Sequence, residues 1–415
     1  MTFDDSSVAG LGATPVPDSA AAQVAIVGSG PSGCFTAIAL RRLVPTAQIV
    51  MFDARHTPFG LVRYGVAPDH QGMKNISRQF DRLFTSGGVN FVGNTRIGRE
   101  VSLADLQASF DAVVLATGLP QDRPLDIAVP AGAPVVGAGE LLRMLNGDPD
   151  SALRTQLSPL GREVVILGAG NVAIDVMRLI CKDDSGFVGS DVDDDARAAL
   201  MTTAVEHITV LARGPRDGAR WDGSMFTELC ALPGVTITID RAIVEQSTIA
   251  TDAAATRAVT IDIRFNEPPV RIDLVDGRWA VHTAPVHRSD ERTYQADTVI
   301  TARGFVASGD YHPAAAEVQS APILRVGGCA SGTLGNLAQN RAAAKTAARQ
   351  VAEALAAAPG GRAGLTALAE RLHNSVSFTD WTAIDRAETA RARPDRLRTK
   401  FTTWQEMTTV IAAGN

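Results

Sequence analysis

Residues 24–33 read VAIVGSGPSG, a short apolar run followed at once by glycines at positions 28, 30 and 33. The run predicts a buried strand, and the residues after the last glycine are typical of a helix. At such a strand-to-helix turn Gly28 permits the tight turn, and Gly30 lets the backbone approach a pyrophosphate. Gly33 lets the helix pack close to the strand. The free N–H groups and the positive dipole end of the helix favour phosphate binding at the same place.

A second predicted strand, Gln48–Phe52, is followed by Asp53, which lies 20 residues after Gly33. A carboxylate at this position can accept hydrogen bonds from the diol of a ribose. The glycine pattern alone would also fit an ordinary turn. Strand, helix and acid at the expected spacing together favour a dinucleotide site, although the motif itself does not distinguish FAD from NAD.

A second glycine pattern follows another apolar run in residues 163–173, EVVILGAGNVA. It has the form GxGxxA and leads into a predicted helix. The next predicted strand, His207–Leu211, is followed by Arg213 rather than by an acid, and Arg216 and Arg220 lie shortly beyond it. Because arginine can bind a 2′-phosphate, this pattern favours NADPH over NADH. The alternative is that these arginines are solvated loop residues.

Two such patterns in one chain predict a protein of the α/β class with two Rossmann-like, three-layer dinucleotide-binding domains. Residues 111–118 (DAVVLATG) and 297–304 (DTVITARG) are predicted strands with similar small-residue endings. They lie on either side of the second pattern, so we expect the chain to cross between the domains there. One dinucleotide would be a prosthetic group and the other a visiting substrate, which is the arrangement of a flavoprotein that oxidises a pyridine nucleotide.

The predicted organisation is a disordered leader over residues 1–21, an FAD-binding domain over 22–119 and 304–415, and an NADP-binding domain over 120–303 that is inserted into it. Within the inserted domain, residues 183–203 are rich in Asp and are expected to form an insertion or exposed loop.

Composition restricts the function further. Of the 415 residues, 45% are hydrophobic and 20% are charged, which excludes a globally disordered chain. The net charge of −6 argues against a protein that coats nucleic acid, although a local basic patch could dock an acidic partner. The four cysteines are isolated, so no zinc ribbon or iron–sulfur loop is predicted and no metal is expected. No apolar run reaches the roughly 18 residues of a membrane span, and isolated cysteines fit a reducing compartment, so we expect a cytoplasmic protein.

Residues 58–70, PFGLVRYGVAPDH, and residues 76–80, ISRQF, resemble the signature of the adrenodoxin-reductase-type ferredoxin–NADP reductases. Residues 168–175 match the NADP loop of that family, and residues 381–407 resemble its C-terminal end. The resemblance covers nearly the whole chain after residue 22. It implies that NADPH delivers a hydride to N5 of FAD and that the reduced flavin passes single electrons to a ferredoxin-type iron–sulfur protein.

The resemblance also implies roles for individual residues. Those expected to contact FAD are Gly28, Ser29, Gly30, Pro31, Gly33, Asp53, Gly60, Leu61, Gly118, Gly328, Gly335 and Leu337. Those expected to contact NADP are Ala169, Gly170, Asn171, Val172, Arg213, Arg216 and Gly335. His70 matches a histidine near the nicotinamide, and Glu228 matches its acidic partner. The pair could orient the nicotinamide or relay a proton, and the alternative is a purely structural histidine.

The stretch around Gly328 is one place where the chain departs from the family pattern. Gly328 stands where the family has a Trp, and Ala330 and Ser331 stand where it has two basic residues. Loss of the ring should leave space beside the flavin unless the chain collapses into it. Loss of the basic residues weakens the expectation of an acidic ferredoxin as the partner. Cys329 lies in the same stretch, and its two interpretations are a small buried residue and a redox thiol.

Three functions are compatible with the sequence. The first, which the resemblance favours, is an NADPH-dependent FAD enzyme that reduces a ferredoxin and through it supplies, for example, a monooxygenase. The second is a flavoenzyme of the same fold that uses oxygen or a small organic acceptor. The third is a non-catalytic subunit that only binds FAD.

Overall fold

The computed structural model describes residues 21–156, 158–219, 221–246, 257–286, 290–307, 321–357 and 360–414. Almost all of the predicted leader and Arg220 lie outside these ranges. The strands are β1 (Gln23–Val27), β2 (Gln48–Phe52), β3 (Val89–Val92), β4 (Ala112–Leu115), β5 (Gln121–Asp122), β6 (Val135–Gly137), β7 (Glu163–Leu167), β8 (His207–Leu211), β9 (Val235–Ile239), β10 (Ala242–Gln246), β11 (Val259–Arg264), β12 (Pro269–Val275), β13 (Arg278–Thr283), β14 (Arg292–Gln295), β15 (Thr298–Thr301), β16 (Phe305–Val306) and β17 (Ile323–Arg325).

The α-helices are α1 (Pro31–Leu43), α2 (Leu61–Tyr64), α3 (Gln71–Lys74), α4 (Ser77–Thr85), α5 (Leu103–Ser109), α6 (Ala138–Leu145), α7 (Asn171–Cys181), α8 (Asp194–Leu200), α9 (Gly223–Cys230), α10 (Gly328–Ser331), α11 (Leu337–Ala357), α12 (Phe378–Ala390) and α13 (Trp404–Gly414). Short 3₁₀ helices cover Ala152–Thr155, Ser185–Phe187, Thr202–Ala204, Arg216–Gly218 and Gly364–Arg371.

The first sheet has the strand order β17-β4-β1-β2-β3, with every neighbouring pair parallel. Strand β1 lies at its centre and is buried on both faces, which explains its continuous apolar run. Val24 and Ile26 pack into a core that includes residues of α1, α11 and α12. Ala25 and Val27 pack into a separate core on the other face, with residues of α5 and the Gly364–Arg371 turn. The sheet is therefore the middle of three layers, as predicted.

The second sheet has the order β10-β9-β11-β8-β7-β15-β6 and is parallel except for the β10–β9 pair. Helices α6 to α9 contribute to the core on one of its faces. On the other face, Val165 and Leu167 pack against Ile272 and Val281, which belong to a three-stranded antiparallel sheet, β12-β13-β14. The α/β class predicted for this half is confirmed, with an antiparallel sheet as its third layer.

Between the two sheets the chain crosses twice, and the two crossings lie side by side. Strands β5 and β16 pair in antiparallel fashion, Asp122 opposite Phe305, and the N–H of Arg123 donates to Gly304 O at 2.9 Å. The second sheet thus lies in one insertion between β4 and β17. We keep residues 119/120 and 303/304 as the proposed boundaries of that insertion.

The expectation that residues 183–203 form an exposed loop is wrong for most of this segment. It contains α8 and two 3₁₀ turns, and Phe187, Val192 and Leu200 are buried in the core of the second half. The aspartates that suggested a solvated loop face arginines instead. Arg396, whose side chain is fully buried, lies 2.9 Å from both Asp184 and Asp194.

A buried charge cluster joins this segment to the first half of the protein. Asp191 lies 2.7 Å from Lys74 Nζ and 2.7 Å from Lys400 Nζ, and Lys74 also donates to Asn146 Oδ1. Burial alone would raise the pKa of the Asp191 carboxyl, but Lys400 and Lys74 hold it well below its usual range. One inserted carboxylate therefore neutralises two cations, one from the early and one from the late part of the first domain.

Replacing Asp191 with Asn should lower the free energy of unfolding by about 3 kcal/mol or more, because it leaves two buried ammonium groups without a counter-charge. Denaturant unfolding at neutral pH measures the change. Asp195→Asn is the matched control, since Asp195 is exposed on α8 nearby. If the free energy of unfolding of Asp191→Asn lay within about 0.5 kcal/mol of that of the control, roughly the range of surface substitutions, the cluster would not stabilise the fold as proposed.

Candidate functional site

The first glycine turn has two crowded positions and one open position. Gly28 has a φ of +106°, and a Cβ there would lie 2.4 Å from the carbonyl oxygen of Ala116. A Cβ at Gly33 would lie 2.0 Å from the oxygen of Gly28, so the helix presses directly on the turn. A Cβ at Gly30 would meet nothing within 4 Å. The turn is thus locked by close backbone contacts but leaves an open surface at Gly30.

The N-terminus of α1 faces this open surface. Gly30 is its N-cap, Pro31 is the first helical residue, and no side chain of the described structure caps the helix. Proline costs nothing here because its missing N–H would have no partner within the helix. The next N–H groups, with the positive end of the helix dipole, form the kind of site that binds a phosphate.

Asp53 holds the turn from the end of β2. Its Oδ2 accepts from the N–H of Ser29 at 2.9 Å and from the Ser29 hydroxyl, and its Oδ1 accepts from the N–H of Arg55 at 3.0 Å. A carboxylate has about four acceptor positions, so one is left for a ribose hydroxyl. The sequence pattern pointed to a ribose-binding acid and did not reveal that the same acid also braces the turn.

The signature segment that begins at Pro58 lies against the same turn. The N–H of Phe59 donates to Ser29 O at 3.1 Å, and a Cβ at Gly60 would lie 3.2 Å from the Cα of Gly30. Gly60 has a φ of +49°, which a side chain would disfavour, and Leu61 begins α2 directly after it. Gly60 and Leu61 are therefore placed at the edge of the cradle around Gly30.

Late residues of the chain close the other side. Asn340 on α11 donates from Nδ2 to Gly335 O at 2.9 Å, and its Oδ1 accepts from the hydroxyl of Ser32 at 3.1 Å. Asn340 thus connects the segment of Gly335 and Leu337 to the start of α1. Ser32 and Asn340, which make this connection, are 308 residues apart in the chain. Sequence analysis missed Ser32 and Asn340, because a polar pair of this separation has no local signal.

Leucine side chains lie against Gly328, where the sequence predicted open space. Gly328 is buried, and a Cβ there would lie 3.0 Å from Leu119 Cγ and 3.4 Å from Leu334 Cδ2. Gly118 lies beside it, with its carbonyl carbon 3.5 Å from the same point. Two leucine side chains thus occupy the space next to Gly328. Nearby Cys329 is half-buried, and its Sγ donates to two backbone oxygens at 3.1 and 3.2 Å, which favours its interpretation as a small packing residue.

The second glycine turn repeats the geometry of the first. Gly168 has a φ of +116°, a Cβ there would lie 2.4 Å from the oxygen of Ala302, and a Cβ at Gly170 would meet nothing within 4 Å. Helix α7 begins at Asn171, again without a capping side chain among the described residues. Asn171 Oδ1 accepts from the N–H of Asp222 at 2.7 Å, while Ala169 and Val172 pack against the core.

Arg213 and Arg216 follow β8, where Asp53 follows β2 in the first half. Both are exposed, and neither forms an ion pair with a described residue. Nearby, the rings of Trp221 and Phe226 stack with centroids 5.0 Å apart. The two guanidinium groups are therefore available to an anion at the mouth of the second turn.

His70 and Glu228, which are 158 residues apart, meet between the two halves. His70 Nε2 lies 3.3 Å from Glu228 Oε2, and His70 Nδ1 lies 3.3 Å from Asp175 Oδ1. Arg178, fully buried one turn after Asp175, lies 2.9 Å from Asp175 and 3.2 Å from Glu228. Asp69 accepts from Arg178 on the other side, at 3.0 Å for one of the two contacts.

Electrostatics fix the ionisation of this cluster. Burial would raise the pKa of Glu228, but Arg178 brings it below its usual value. Burial raises the pKa of Asp175 in spite of Arg178 and His70. The arrangement can hold an imidazole in a fixed orientation and can pass a proton along it. Sequence analysis missed Asp175 and Arg178, although their i, i+3 spacing on a helix was a usable signal.

The described residues contain neither a membrane-spanning helix nor a metal-binding cluster. No helix there is long and apolar enough to cross a bilayer. No cluster of three or more His, Cys, Asp or Glu side chains there could hold a metal ion. The two open glycine cradles, each at an uncapped helix start, fit two dinucleotide pyrophosphates.

Comparison with known proteins agrees with this geometry. The model of the pyridine nucleotide-disulphide oxidoreductase family matches residues 22–323. The chain is 37% identical over 410 residues to cindoxin reductase of Citrobacter braakii, which covers 91% of this chain and 89% of that protein. It is 42% identical over 199 residues to a probable ferredoxin/ferredoxin–NADP reductase of Mycobacterium tuberculosis, but spans only 34% of that longer relative.

Among solved structures, FprA of Mycobacterium tuberculosis in complex with NADPH superposes with a TM-score of 0.81 at 25% identity, covering 94% of this chain and 100% of that one. The resemblance to adrenodoxin-reductase-type ferredoxin–NADP reductases is thereby confirmed, and the chain belongs to the pyridine nucleotide-disulphide oxidoreductase family.

Proposed function

We propose that this protein is an FAD-dependent oxidoreductase that takes a hydride from NADPH and passes electrons one at a time to a ferredoxin-type iron–sulfur protein. The observation that carries the proposal is the pair of equivalent phosphate cradles in one chain, at Gly30 and Gly170. FAD is the group that can accept two electrons together and release them singly. The chain contributes binding, orientation and exclusion of water.

The two cradles suit different residence times. The first is braced by Asp53, covered by Gly60 and closed by Asn340, which suits a permanently held FAD. The second is followed by exposed Arg213 and opens to solvent, which suits a substrate that enters and leaves. Its cation also matches the 2′-phosphate that distinguishes NADPH from NADH.

His70 and Glu228 act in this proposal as positioning residues for the nicotinamide. His70 belongs to the segment that covers the first cradle, and Glu228 lies on α9, which packs on α7 of the second. Their contact therefore depends on how the two cradles are placed relative to each other. The buried Arg178 keeps both Glu228 and Asp175 directed at the ring.

Two observations bear on the acceptor. Leu119 and Leu334 lie against Gly328, which leaves less room there for a small organic acceptor and favours a protein acceptor over the second function. The relative matched over most of its length is named for cindoxin, so cindoxin is a second candidate carrier beside ferredoxin. Cys34, Cys181 and Cys329 are free thiols, which fits our proposed location in a reducing cytoplasm.

Anaerobic stopped-flow spectroscopy tests the function. NADPH should bleach the flavin of the purified holoprotein. Addition of an acidic [2Fe–2S] ferredoxin and cytochrome c should then give cytochrome reduction, with purified cindoxin as the parallel acceptor. Reoxidation by oxygen alone would support the second function instead. A flavin that neither NADPH nor NADH bleaches would support the non-catalytic subunit.

Gly30→Val should abolish FAD binding while the chain still folds, because the added side chain occupies open space in the cradle rather than the core. Gly170→Val is the matched variant in the second turn and should retain FAD but lose NADPH binding. The flavin-to-protein absorbance ratio and NADPH titration separate the two. Full flavin content in Gly30→Val would contradict the assignment of the first cradle.

Arg213→Ala should raise the dissociation constant for NADPH by about tenfold and leave that for NADH within twofold, since a charge-assisted hydrogen bond contributes about 1.5–3 kcal/mol. Fluorescence titration with both nucleotides measures this. Equal weakening of both nucleotides would remove the 2′-phosphate contact from Arg213.

Glu228→Gln should slow flavin reduction by NADPH about tenfold with unchanged flavin content, because the His70 ring loses a charged partner. Since Arg178 holds the pKa of Glu228 below its usual value, Glu228 is ionised throughout the neutral and alkaline range. The deficit should therefore be constant between about pH 6 and 9 in single-turnover measurements. A deficit that disappears at the acidic end would show that Glu228 titrates within this range.

A further inference from the structure

A groove runs along the surface of the first half between α1 and α11. The two helices lie side by side with their N-termini at the same end, where Ser32 contacts Asn340. Phe35 and Leu337 belong to the apolar floor of the groove. Its cationic lining residues are Arg42, Arg341, Lys345 and Arg349.

The sequence of α11 explains this surface. Arg341, Lys345 and Arg349 are spaced by four residues, so they share one face of the helix. Ala344 and Ala348 lie on the buried side and let α11 approach α1 closely. The helix thus combines a small-residue contact face with a row of three cations beside it.

The cations of the groove have no counter-charge of their own. Among the described residues, none of Arg42, Arg341, Lys345 and Arg349 forms an ion pair, and no acidic side chain lines the groove. The Arg341 guanidinium lies 5.6 Å from the centre of the Phe35 ring instead. Like charges four residues apart each cost a helix about 0.2–0.5 kcal/mol. Among the described residues, the row therefore gains no stability from ion pairs.

The groove begins at the first cradle. Leu337, at its start, is one of the residues we assign to the flavin, and Asn340 on the next turn reaches Ser32 at the N-terminus of α1. A protein lying in the groove would therefore come next to the site that we propose holds FAD.

We propose that this groove is the docking surface for the electron-accepting iron–sulfur protein, bound through an acidic patch. This inference rests on the proposed function and adds to it the surface used. An apolar floor with a charged rim is the usual anatomy of a specific interface, and complementary charge mainly accelerates and orients the encounter. The row on α11 supplies cations that are missing at Ala330 and Ser331, about ten residues earlier in the chain.

Charge reversal at two positions tests the surface on the FAD-loaded protein. Arg341→Glu/Lys345→Glu should weaken binding of an oxidised acidic [2Fe–2S] ferredoxin at least tenfold by calorimetry at about 50 mM salt, where exposed charges are weakly screened. The control is Arg99→Glu/Arg386→Glu, with the same charge change at exposed positions outside the groove, and it should stay within about twofold. Carbodiimide coupling should also join Lys345 to a ferredoxin carboxylate in the wild type.

The neutralised variant Arg341→Ala/Lys345→Ala guards against misfolding and should give a smaller loss in the same direction. Salt should weaken ferredoxin binding to the wild type and hardly affect the reversed variant. Bleaching by NADPH and reduction of a neutral quinone should be the same in all variants. If the wild type reduces ferredoxin but the reversed variant binds it like the control, the groove is overturned alone. If the wild type is bleached by NADPH but neither binds nor reduces ferredoxin, both proposals are wrong. If the reversed variant loses binding to anionic lipid vesicles but keeps its binding to ferredoxin, the groove is a membrane-binding surface instead.

Discussion

The close approach of two backbones at each glycine turn is the constraint on which the rest of the structure depends. A Cβ built on Gly28 or on Gly168 would lie 2.4 Å from a backbone carbonyl oxygen. In each case that oxygen belongs to the residue after a neighbouring parallel strand. Those oxygens belong to Ala116 and Ala302, each of which directly follows its strand and stands two residues before a glycine. The turn and the end of its neighbouring strand are therefore one unit, and a larger residue at either glycine would push the phosphate cradle out of shape.

The two halves of the protein share this glycine turn but differ in the residues that surround it. In the first half, the segment at Gly60 lies on the turn and Asn340 closes it, so a ligand there becomes part of the fold. In the second half, the described residues at the corresponding edge include Asn171 and the exposed Arg213 and Arg216. A dinucleotide held in one and exchanged in the other would meet near His70, which belongs to the first half in sequence and touches carboxylates of the second.

Sequence patterns predicted what local physics determines. The bounds of β2 and β8 agree with the predicted segments, since apolar periodicity and glycine turns are short-range properties. The folding of residues 183–203 was not predicted, because their aspartates pair with Arg396, about 200 residues away. The leucines that fill the space at Gly328 were equally invisible, since one comes from the end of β4 and the other from the turn before α11. Individual contacts at the predicted site follow from long-range packing of this kind.

Two sets of cations in the chain differ in how they are compensated. Inside the protein, Lys74 and Lys400 share Asp191 because an unpaired buried ammonium would cost several kcal/mol. On the surface, the row on α11 forms no ion pair with a described residue, although acidic residues outnumber basic ones by 45 to 39. A folded acidic protein has ample carboxylates with which to neutralise three exposed cations, and pairing them along α11 would have stabilised the helix. Leaving them uncompensated beside an apolar floor gives up that stability, and the gain that can offset it is recognition of a negatively charged protein.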